Sequence, residues 1–533
     1  MSKGTSTIKN VFTVGAFTSL SRILGLVREV LQARLIGAGV AQSAFALAFA
    51  VPNMARKLFG EGALTAAFVP VFKGEVETVG LEKAERLARA VMTMVLVVLA
   101  CAVAVALAAL VAANGLVAGW RAFTGDSRLC LVISLVTILV PYMVAICGAA
   151  FGMGVLNALG RFKASSFMPA FLNLFWIAAL VALLPFPSLS VAVRVRLVAG
   201  AILVAGFAQT AFMFRCMARA GVSPRPLFSG WRSEKVRLVW RNLGIAALGA
   251  GAVQVNYMLD QVLGQLASPW AAGVIGYAER LMDLPLGVIG VAFGTVLLPT
   301  FSGLFAKGDV DGARDALASS VRSLMFLMIP AAAGLFVLAP ETTRVVYERG
   351  EFDAMATVRV SRALAVYAVG LGFFGFQKTL VPWFQAQNDM KTPLRVSVAT
   401  VVMNATLNIL AVWLLPVEWR HVGLAASTVV CAFAGCVLLV VLARRRNGSL
   451  GLSATIRPVA LALAASLFMA GAIAAARPFA ARLPSVVALA LLIALGAAVY
   501  GTASIALMPE QVRALRARIG RRARHGGSRE NMV

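Results

Sequence analysis

The chain has 533 residues, of which 60% are hydrophobic and only 13% are charged, and its mean hydropathy is +0.87. A soluble protein of this length needs far more polar surface, so the composition excludes that class. Apolar runs of about 20 residues predict membrane-spanning helices, because the strands of a membrane barrel are about half that length and alternate in polarity. We therefore expect an all-α polytopic membrane protein.

Fourteen spans are predicted along the chain. Their approximate bounds are 11–36, 43–72, 87–112, 129–159, 165–184, 195–217, 238–265, 270–304, 318–339, 357–386, 394–416, 420–443, 456–476 and 484–507. The second, fourth, eighth and tenth are long and contain Pro or Gly, so we expect them to tilt, kink or extend into water. Residues 307–318 and 509–524 are amphipathic, which predicts two helices that lie on the inner leaflet.

The formal net charge of the chain is +27. In a soluble protein such a charge would indicate a nucleic-acid partner, but here the basic residues lie mainly in loops and in the C-terminal tail. With the N-terminus in the cytoplasm, Lys and Arg concentrate in the cytoplasmic loops, as the positive-inside rule requires. We therefore expect both termini to be cytoplasmic, and we expect no nucleic-acid partner.

Two short motifs recur at nearly the same spacing. AFVPVF and VLLPTF pair Pro70 with Pro299, 229 residues apart, and LNALGRFK and FQAQNDMK pair Lys163 with Lys391, 228 residues apart. The matches predict two six-helix bundles in the same orientation, and such parallel repeats are typical of transporters with a site between the halves. We expect the bundles to face each other in a V; chance similarity is the alternative. The predicted divisions are an N-terminal bundle at 1–220, a C-terminal bundle at 221–443, two extra helices at 444–507 and a basic tail at 508–533.

Charged side chains occur inside several spans. A charge at the centre of a membrane helix costs about 2.5–3.5 kcal/mol, so such residues usually face a cavity or each other. The candidate site residues on the first, second and eighth spans are Arg22, Arg28, Asn53, Arg56, Glu61 and Arg280. Guanidinium groups stay charged and bind phosphate oxygens through paired hydrogen bonds, so a cationic lumen of this kind suits a diphosphate.

The alternative for these arginines is a purely structural role, in which each one pairs with a nearby carboxylate. The pairs would be Arg22 or Arg28 with Glu29, Arg56 with Glu61, and Arg280 with Asp283. Mixed roles are also consistent with the sequence, with Glu61 holding one of the arginines in place.

A second polar set lies on the seventh and eleventh spans. Asn404 and Asn408 are four residues apart and so share a helix face, and their oxygens together with Asp260 predict a site for a small cation such as Na⁺. The alternative is that these amides only tie neighbouring helices together.

No loop carries a nucleophile–base pair, a glycine-rich phosphate loop or a metal-ligand cluster, so an enzyme is not expected. Apart from the candidate Na⁺ site, we expect no cofactor.

Several segments resemble a known family. They are SRILGLVRE, GAG, AFALAF, PNMARKLFGEGALTAAFVPVF, YAERLMDLPLGVIGVAFGTVLLP and the NDMKTP loop. The chain resembles the MurJ (MviN) lipid II flippases of the multidrug/oligosaccharidyl-lipid/polysaccharide exporter superfamily, and the PN…RKLFGEGA block is the specific part of the likeness.

The resemblance implies a multi-pass flippase of the bacterial cytoplasmic (inner) membrane. It would move the lipid-linked peptidoglycan precursor lipid II from the inner to the outer leaflet by alternating access, for cell-wall synthesis and cell shape. Membrane lipids and other cell-wall synthesis proteins are the expected partners. By position, Arg22, Arg28, Arg56 and Arg280 match the family's cavity arginines, and Glu61 matches its cavity glutamate. The resemblance also implies a lipid-tail groove on the last two spans and a sodium site in the C-terminal half.

One departure from the family pattern is Ser43, where the family usually has an aspartate, so a gate contact assigned to that acid is in doubt. Other functions stay open at this point. They are a flippase for another polyprenyl-diphosphate oligosaccharide, a drug or ion exporter of the same superfamily, and a non-transporting membrane scaffold. An exporter of cationic drugs should have an acidic lumen, whereas the candidate residues here are mainly basic.

Overall fold

The structure, a computed structural model, describes residues 2–57, 63–124, 128–511 and 513. In these residues the chain forms seventeen α-helices and no β-strand. The helices are α1 Ser2–Ile36, α2 Val40–Ala55, α3 Ala63–Val79, α4 Leu81–Thr124, α5 Arg128–Leu139, α6 Tyr142–Ala158, α7 Phe162–Leu183, α8 Val191–Arg219, α9 Glu234–Ala267, α10 Ala271–Ala306, α11 Val310–Val337, α12 Ala339–Tyr347, α13 Ala354–Gln385, α14 Lys391–Leu414, α15 Val417–Asn447, α16 Ser453–Ala480 and α17 Ser485–Leu507.

The predicted all-α membrane class is confirmed. Within the described residues, ten segments are long and apolar enough to cross a membrane. These ten segments do not establish the predicted count of fourteen spans. Helix α2, for example, has only 16 residues and is not among the ten.

The helices pack into two compact units. Unit 1 contains Met1–Gly273 together with Arg349–Asp353, and unit 2 contains Val274–Glu348 and Ala354–Val533. Helix α9 packs along α2, α3 and α4, so it belongs to unit 1 by its contacts. The sequence-based division after residue 220 follows the repeat and therefore differs from the division by packing.

Each unit has its own aromatic-rich core. In unit 1, Phe68 stacks on Phe72 and also contacts Phe151, and all three side chains are fully buried. In unit 2, the rings of Phe301 and Phe305 meet the buried ring of Trp383 edge-on, with centroids 5.5 and 5.0 Å away. Aromatic side chains bury a large area and pack with specific geometry, so these clusters fix the helices that carry them.

One of the long spans is interrupted, as predicted. In the second span, residues 58–62 between α2 and α3 lie outside the described residues, so the predicted break there is not described. The fourth is divided into α5 and α6 at Pro141, which lacks the N–H needed to continue the helical hydrogen bonds. Helix α10 runs through Pro285 and Pro299 without a break. Its 36 residues correspond to a length of about 54 Å, which exceeds the bilayer core of about 30 Å, so it extends into water.

The prediction of a separate interfacial helix at 307–318 is wrong. Most of this stretch forms the first turns of α11, whose start is capped by a hydrogen bond of 2.7 Å from Gly312 N–H to Asp309 Oδ1. Ala313 and Leu317 are fully buried and lie on the same stripe as Val321, so the apolar face continues into the span. Most of the other predicted interfacial helix, 509–524, lies outside the described residues.

The turns after α6 and α13 have the same geometry, 228 residues apart. Gly160 has a φ of +73° and Asn388 has a φ of 58°, the left-handed conformation that Gly and Asn adopt most readily. Arg161 N–H bonds to Leu156 O at 2.8 Å, and the equivalent bond from Asp389 N–H to Phe384 O is 3.0 Å. These turns carry the LNALGRFK and FQAQNDMK motifs, so the two motifs share a backbone structure as well as a sequence pattern.

A buried arginine joins three segments of unit 1. Arg194, near the start of α8, donates to Leu35 O at 3.0 Å, to Pro187 O at 2.6 Å and to Glu351 Oε1 at 2.9 Å. Glu351 belongs to the connection between α12 and α13, and its own N–H bonds to Arg34 O at 2.9 Å. We call this set of contacts the Arg194 clasp.

Candidate functional site

Arg28 is held by side chains of α7. Its NH1 donates to Asn173 Oδ1 at 2.9 Å, and its guanidinium carbon lies 4.3 Å from the centre of the Trp176 ring. Its NH2 also forms an ion pair with the neighbouring Glu29, as the structural alternative predicted. Only 14% of the Arg28 side chain is exposed, so α7 fixes this cation in a defined position on α1.

Ser21 extends this arrangement. Asn173 Nδ2 donates to the backbone oxygen of Ser21 at 3.0 Å, so one amide bridges α7 to α1 at two levels. Arg22, the next residue, is exposed on α1. Gly25 lies inside the unbroken helix between the two arginines and faces the Asn173 amide.

Arg56 lies at the end of α2, where the helix widens to a π-helical turn. Both its Nε and its NH2 donate to Asn53 Oδ1, at 3.2 and 3.1 Å. An amide carries no charge, so this contact orients the guanidinium without neutralising it. Lys57 lies 5.0 Å from the centre of the Tyr257 ring on α9. The predicted partner Glu61 lies outside the described residues.

Arg280 belongs to unit 2, where it is exposed on α10 together with Asp283. The preceding residue, Glu279, accepts a hydrogen bond of 3.3 Å from the hydroxyl of Tyr367 on α13. The structure thus places Arg22, Arg28, Asn53 and Arg56 in unit 1 and Arg280 in unit 2.

Ser43 occupies a tightly packed position. Its side chain is fully buried, and its Oγ accepts a hydrogen bond of 2.9 Å from Gly273 N–H. Its backbone oxygen accepts a second bond, of 2.5 Å, from Gln265 Nε2. A neutral hydroxyl therefore joins α2 to the start of α10 at the position where the family pattern has an acid.

The candidate cation ligands have local partners in each unit. In unit 1, Asp260 Oδ2 accepts a hydrogen bond of 3.2 Å from Asn256 Nδ2. In unit 2, Asn408 Nδ2 donates to Asn404 Oδ1 at 2.9 Å, and both asparagines are buried. Asn404 Nδ2 lies 3.5 Å from Thr428 Oγ1 on α15, so part of this set ties α14 to α15. Among the described residues, no group of three or more His, Cys, Asp or Glu side chains forms a metal cluster.

A small cavity of about 110 Å³ lies in unit 2 beside α12, α16 and α17. Its polar lining comes from Glu341, Arg344, Arg477 and Ser485, and Arg477 NH2 pairs with Glu341 Oε1 at 2.6 Å. None of the sequence-predicted site residues lines this cavity.

Comparison with known proteins identifies the family. The family model described as "Lipid II flippase MurJ" matches residues 32–495. The chain belongs to this family. The probable lipid II flippase MurJ of Rhizobium tropici is 34% identical to this MurJ-family chain over 470 residues, which cover 88% of this chain and 86% of that protein. The match places Asn53, Arg56 and Arg280 inside the family region, whereas Arg22 and Arg28 precede it.

Two solved structures share the fold. One, described as "Lipid II flippase MurJ, inward closed conformation", has a TM-score of 0.75 and 20% identity, and the match covers 94% of this chain and 99% of that one. An inward-facing multidrug resistance MATE family transporter of the MOP superfamily has a TM-score of 0.64 and 15% identity, with 81% and 95% covered. Because a drug transporter shares it, the fold by itself does not distinguish a MurJ protein.

Sequence reasoning did not find Asn173 and Trp176, although they hold Arg28. A weak signal exists, because Asn173 is the one strongly polar residue in the apolar stretch FMPAFLNLFWIAAL of α7. An intramembrane amide usually has a partner on another helix. Nothing in the sequence indicates that this partner is Arg28, 145 residues away.

Proposed function

We propose that this chain is a lipid II flippase that works by alternating access in the bacterial cytoplasmic membrane. The observation that carries the proposal is the match of residues 32–495 to the lipid II flippase MurJ family. Relatives over most of the chain's length, including the one from Rhizobium tropici, carry the same activity in their names.

The chemistry of the candidate residues supports a phosphate-bearing substrate. Arg22, Arg28, Arg56 and Arg280 lie on α1, on the last turn of α2 and on α10, each in or beside an apolar segment. A guanidinium remains charged in any protein environment and offers paired donors that match the oxygens of a diphosphate. In this proposal the arginines bind the diphosphate while the sugar and peptide part occupies a hydrophilic lumen.

The amide partners of Arg28 and Arg56 fit that role. Asn173 and Asn53 accept hydrogen bonds from Arg28 and Arg56 and so fix the direction of each guanidinium. An amide contact does not itself neutralise a guanidinium, whereas Glu29 partly offsets the charge of Arg28. We assign Asn53 to the substrate site on this ground, as a residue that orients Arg56.

The direction of transport follows from the charge of the substrate. In the proposed orientation both termini are cytoplasmic, as the distribution of basic loops indicates. An anionic headgroup that moves outward then follows the inside-negative potential, which contributes about 2.3 kcal/mol per charge per 100 mV. No nucleotide-hydrolysing domain is needed for this step.

Two further parts of the proposal come from the family pattern. We assign the lipid tail to α16 and α17, which correspond to the thirteenth and fourteenth predicted spans. We assign Na⁺ to the polar set of Asp260, Asn404 and Asn408. Other cell-wall synthesis proteins are proposed partners, and a flippase for a different polyprenyl-diphosphate oligosaccharide is the alternative function.

Complementation of a flippase-depleted bacterium tests the proposal. Wild type should restore growth and make lipid II accessible at the outer face, and Arg28→Glu and Arg280→Glu should each abolish both results. Arg215→Glu, at an exposed position near the end of α8, is the matched control and should restore growth. Growth without outward exposure of lipid II would contradict the assigned substrate, and full activity of both charge reversals would contradict the cationic site.

A further inference from the structure

The connection between α8 and α9, residues 221–233, runs along the side of α4. Near its start, Ser223 N–H donates to Glu85 Oε1 at 3.1 Å. Four residues later, Leu227 N–H donates to Thr93 Oγ1 at 2.8 Å. We call residues 221–233 the α8–α9 strap. Since Glu85 and Thr93 are eight residues apart on a helix, the strap advances about 12 Å along the axis of α4 between these bonds.

The direction of this advance is towards the apolar part of α4. Apart from Arg121 near its far end, the charged residues of α4 lie in its first turns and end with Arg89, and residues 90–113 contain no Asp, Glu, Lys or Arg. Arg89 itself bonds to the strap midway, with Nε 2.9 Å from Arg225 O. The bond at Thr93 is therefore one turn inside the uncharged segment, so the strap enters the region where the bilayer interface meets the helix.

The strap then turns back. Gly230 is packed against Ala90, almost one turn nearer the charged end of α4 than Thr93. Lys235, in the first turn of α9, forms an ion pair with the buried Glu75 of α3. The strap therefore runs towards the apolar part of α4 as far as Leu227 and then turns back. Contacts before the turn and after it fix the strap to unit 1.

Two aromatic side chains flank the turn of the strap, residues 228–231, which we call the tip. Phe228 is 65% exposed and Trp231 is 39% exposed, and their ring centres are 6.1 Å apart. Leu227, by contrast, packs against the core of unit 1. Trp is the residue type most typical of the headgroup level of a bilayer, and an exposed Phe beside it favours the upper acyl chains.

The charges around the aromatic pair are almost all positive. From residue 219 to residue 241 the chain contains six basic residues and one acid, Glu234. Arg225 precedes the aromatic pair, Arg232 follows it, and both arginines are exposed. Exposed aromatic side chains with arginines on both sides match an anionic lipid surface, in which the phosphates lie next to the acyl chains.

The backbone of the strap is restricted by sequence. Pro224 and Pro226 flank Arg225 and favour an extended chain, and neither has an N–H that needs a partner. The N–H groups of Ser223 and Leu227, on either side of this Pro-Arg-Pro segment, are the ones that bond to α4. The tip is therefore presented in one position, which reduces the entropy lost when it binds.

We propose that the α8–α9 strap is a membrane anchor that binds anionic phospholipid. Phe228 and Trp231 enter the leaflet that borders the basic loops, and Arg225 and Arg232 bind lipid phosphates at its surface. An acidic protein partner could also pair with these arginines. However, the strap reaches Thr93, in the uncharged part of α4 that the bilayer covers, and a protein partner would not occupy that region. This anchor is independent of the transported substrate, because its residues lie outside the proposed diphosphate site.

The depth of the tip is measured on the full chain in lipid nanodiscs. The fluorescence of Trp231 is taken as the difference between wild type and Trp231→Phe. Lipids brominated near the headgroup end of the acyl chain should quench this difference signal, and aqueous acrylamide should leave most of it intact. Efficient quenching by acrylamide together with no effect of the brominated lipids would overturn the proposal.

Headgroup preference is measured by native mass spectrometry of protein released from mixed nanodiscs of phosphatidylglycerol and phosphatidylcholine. A basic residue near an anionic surface contributes about 1 kcal/mol, so the double variant Arg225→Gln, Arg232→Gln should lower the phosphatidylglycerol preference by about 30-fold. The double variant Arg444→Gln, Arg445→Gln removes two exposed arginines at the end of α15 and is the matched control.

The control variant should retain most of the phosphatidylglycerol preference of wild type, and circular dichroism checks that each variant is folded. An equal loss of preference in both double variants would show that the effect is general charge, and no loss in the strap variant would show that phosphatidylglycerol is not its ligand. Either result would overturn the proposal.

Discussion

The guanidinium of Arg194 lies 2.9 Å from the carboxylate of Glu351, a residue 157 positions further along the chain. The Arg194 side chain is only 7% exposed, whereas that of Glu351 is 41% exposed. Two backbone oxygens also accept hydrogen bonds from this arginine. The clasp therefore neutralises a buried cation and at the same time holds the connection between α12 and α13 on unit 1.

Arg194→Ala should lower the free energy of unfolding by about 3 kcal/mol, because it leaves Glu351 and two backbone oxygens without their charged donor. Thermal unfolding of the detergent-solubilised protein measures the change. Arg196→Ala is the matched control, since Arg196 donates to Ser134 Oγ at 3.0 Å and should cost about 1 kcal/mol. Equal shifts for the two variants would contradict a special role for Arg194.

The backbone beside the clasp leads to a second prediction. Gly37 has a φ of +73° and Gly350 has a φ of +62°, and a Cβ at either position would collide with the backbone of the other segment. Gly37→Ala and Gly350→Ala should therefore destabilise the protein by more than the conformational cost of about 1 kcal/mol alone.

Two other glycines separate the cost of a positive φ from the cost of a steric collision. Gly80 has a φ of +87° with open space around it, so Gly80→Ala should show only the conformational cost. Gly39 has a φ of −86° and open space, so Gly39→Ala should show only the small loss expected at the N-cap of α2, about 0.5 kcal/mol. Thermal unfolding of the four variants should rank Gly37 and Gly350 first, Gly80 next and Gly39 last, and any other order would contradict the collision.

The sequence was sufficient for the fold class, because apolar run length and turn residues act locally. The fourth span was expected to kink because it is long and contains Pro or Gly, and in the structure it is divided at Pro141. The error at 307–318 arose because a polar first turn and an apolar stripe look alike in an interfacial helix and in the start of a span. The burial of Ala313 and Leu317 depends on packing partners that periodicity does not reveal.

The candidate site was predictable only in part, for a related reason. An arginine in an apolar span is visible in the sequence, but the partner that orients it is not. Asn53 was among the predicted site residues, and the structure shows that it contacts Arg56 three residues further along the same helix face. Asn173 and the ring of Trp176 reach Arg28 only through the packing of α7 on α1.

The pair of Asn53 and Arg56 provides the third prediction. Asn53→Ala removes the acceptor that both Arg56 nitrogens share and should lower lipid II transport by about tenfold, in line with the energy of one charged hydrogen bond. Asn53→Asp should be more harmful, because the new carboxylate competes with the diphosphate for the guanidinium. Transport is measured as outward exposure of lipid II in depleted cells.

The control for this prediction is a double-mutant cycle. If Asn53 acts through Arg56, Asn53→Ala should have no further effect in an Arg56→Ala background. Additive losses would show that Asn53 has a separate role.

Asp389, in the turn before α14, provides the pH prediction. Hydrogen bonds from the Thr392 hydroxyl and N–H, and a smaller effect of Arg446, hold the pKa of this carboxyl below its usual value of 3.8. A carboxyl with a lowered pKa stabilises the folded state above its unfolded value, and the contribution is lost as the pH falls through the lower folded value.

Asp389→Asn should therefore cost about 1 kcal/mol near neutral pH, because a neutral amide loses the charge-assisted hydrogen bonds that the carboxylate accepts from Lys391 and Thr392. The difference from wild type should shrink once the pH falls below 3.8, where the unfolded carboxyl becomes protonated, and disappear at lower pH. Thermal unfolding across this range measures the difference, with the exposed Asp315→Asn as the control. A constant difference at all pH values would contradict the assignment.

The candidate Na⁺ site supplies the last prediction. If Asp260, Asn404 and Asn408 bind Na⁺ in the folded state, Na⁺ at ten times its dissociation constant should stabilise the protein by about 1.4 kcal/mol. Thermal unfolding in NaCl and in choline chloride at equal ionic strength separates Na⁺ binding from screening of charges. Asp260→Asn should abolish the Na⁺-specific shift, because it replaces an anionic oxygen with an amide. The alternative, in which Asn404 and Asn408 only join α14 to α15, predicts that Asn404→Leu destabilises the protein equally in both salts and that wild type shows no preference for Na⁺.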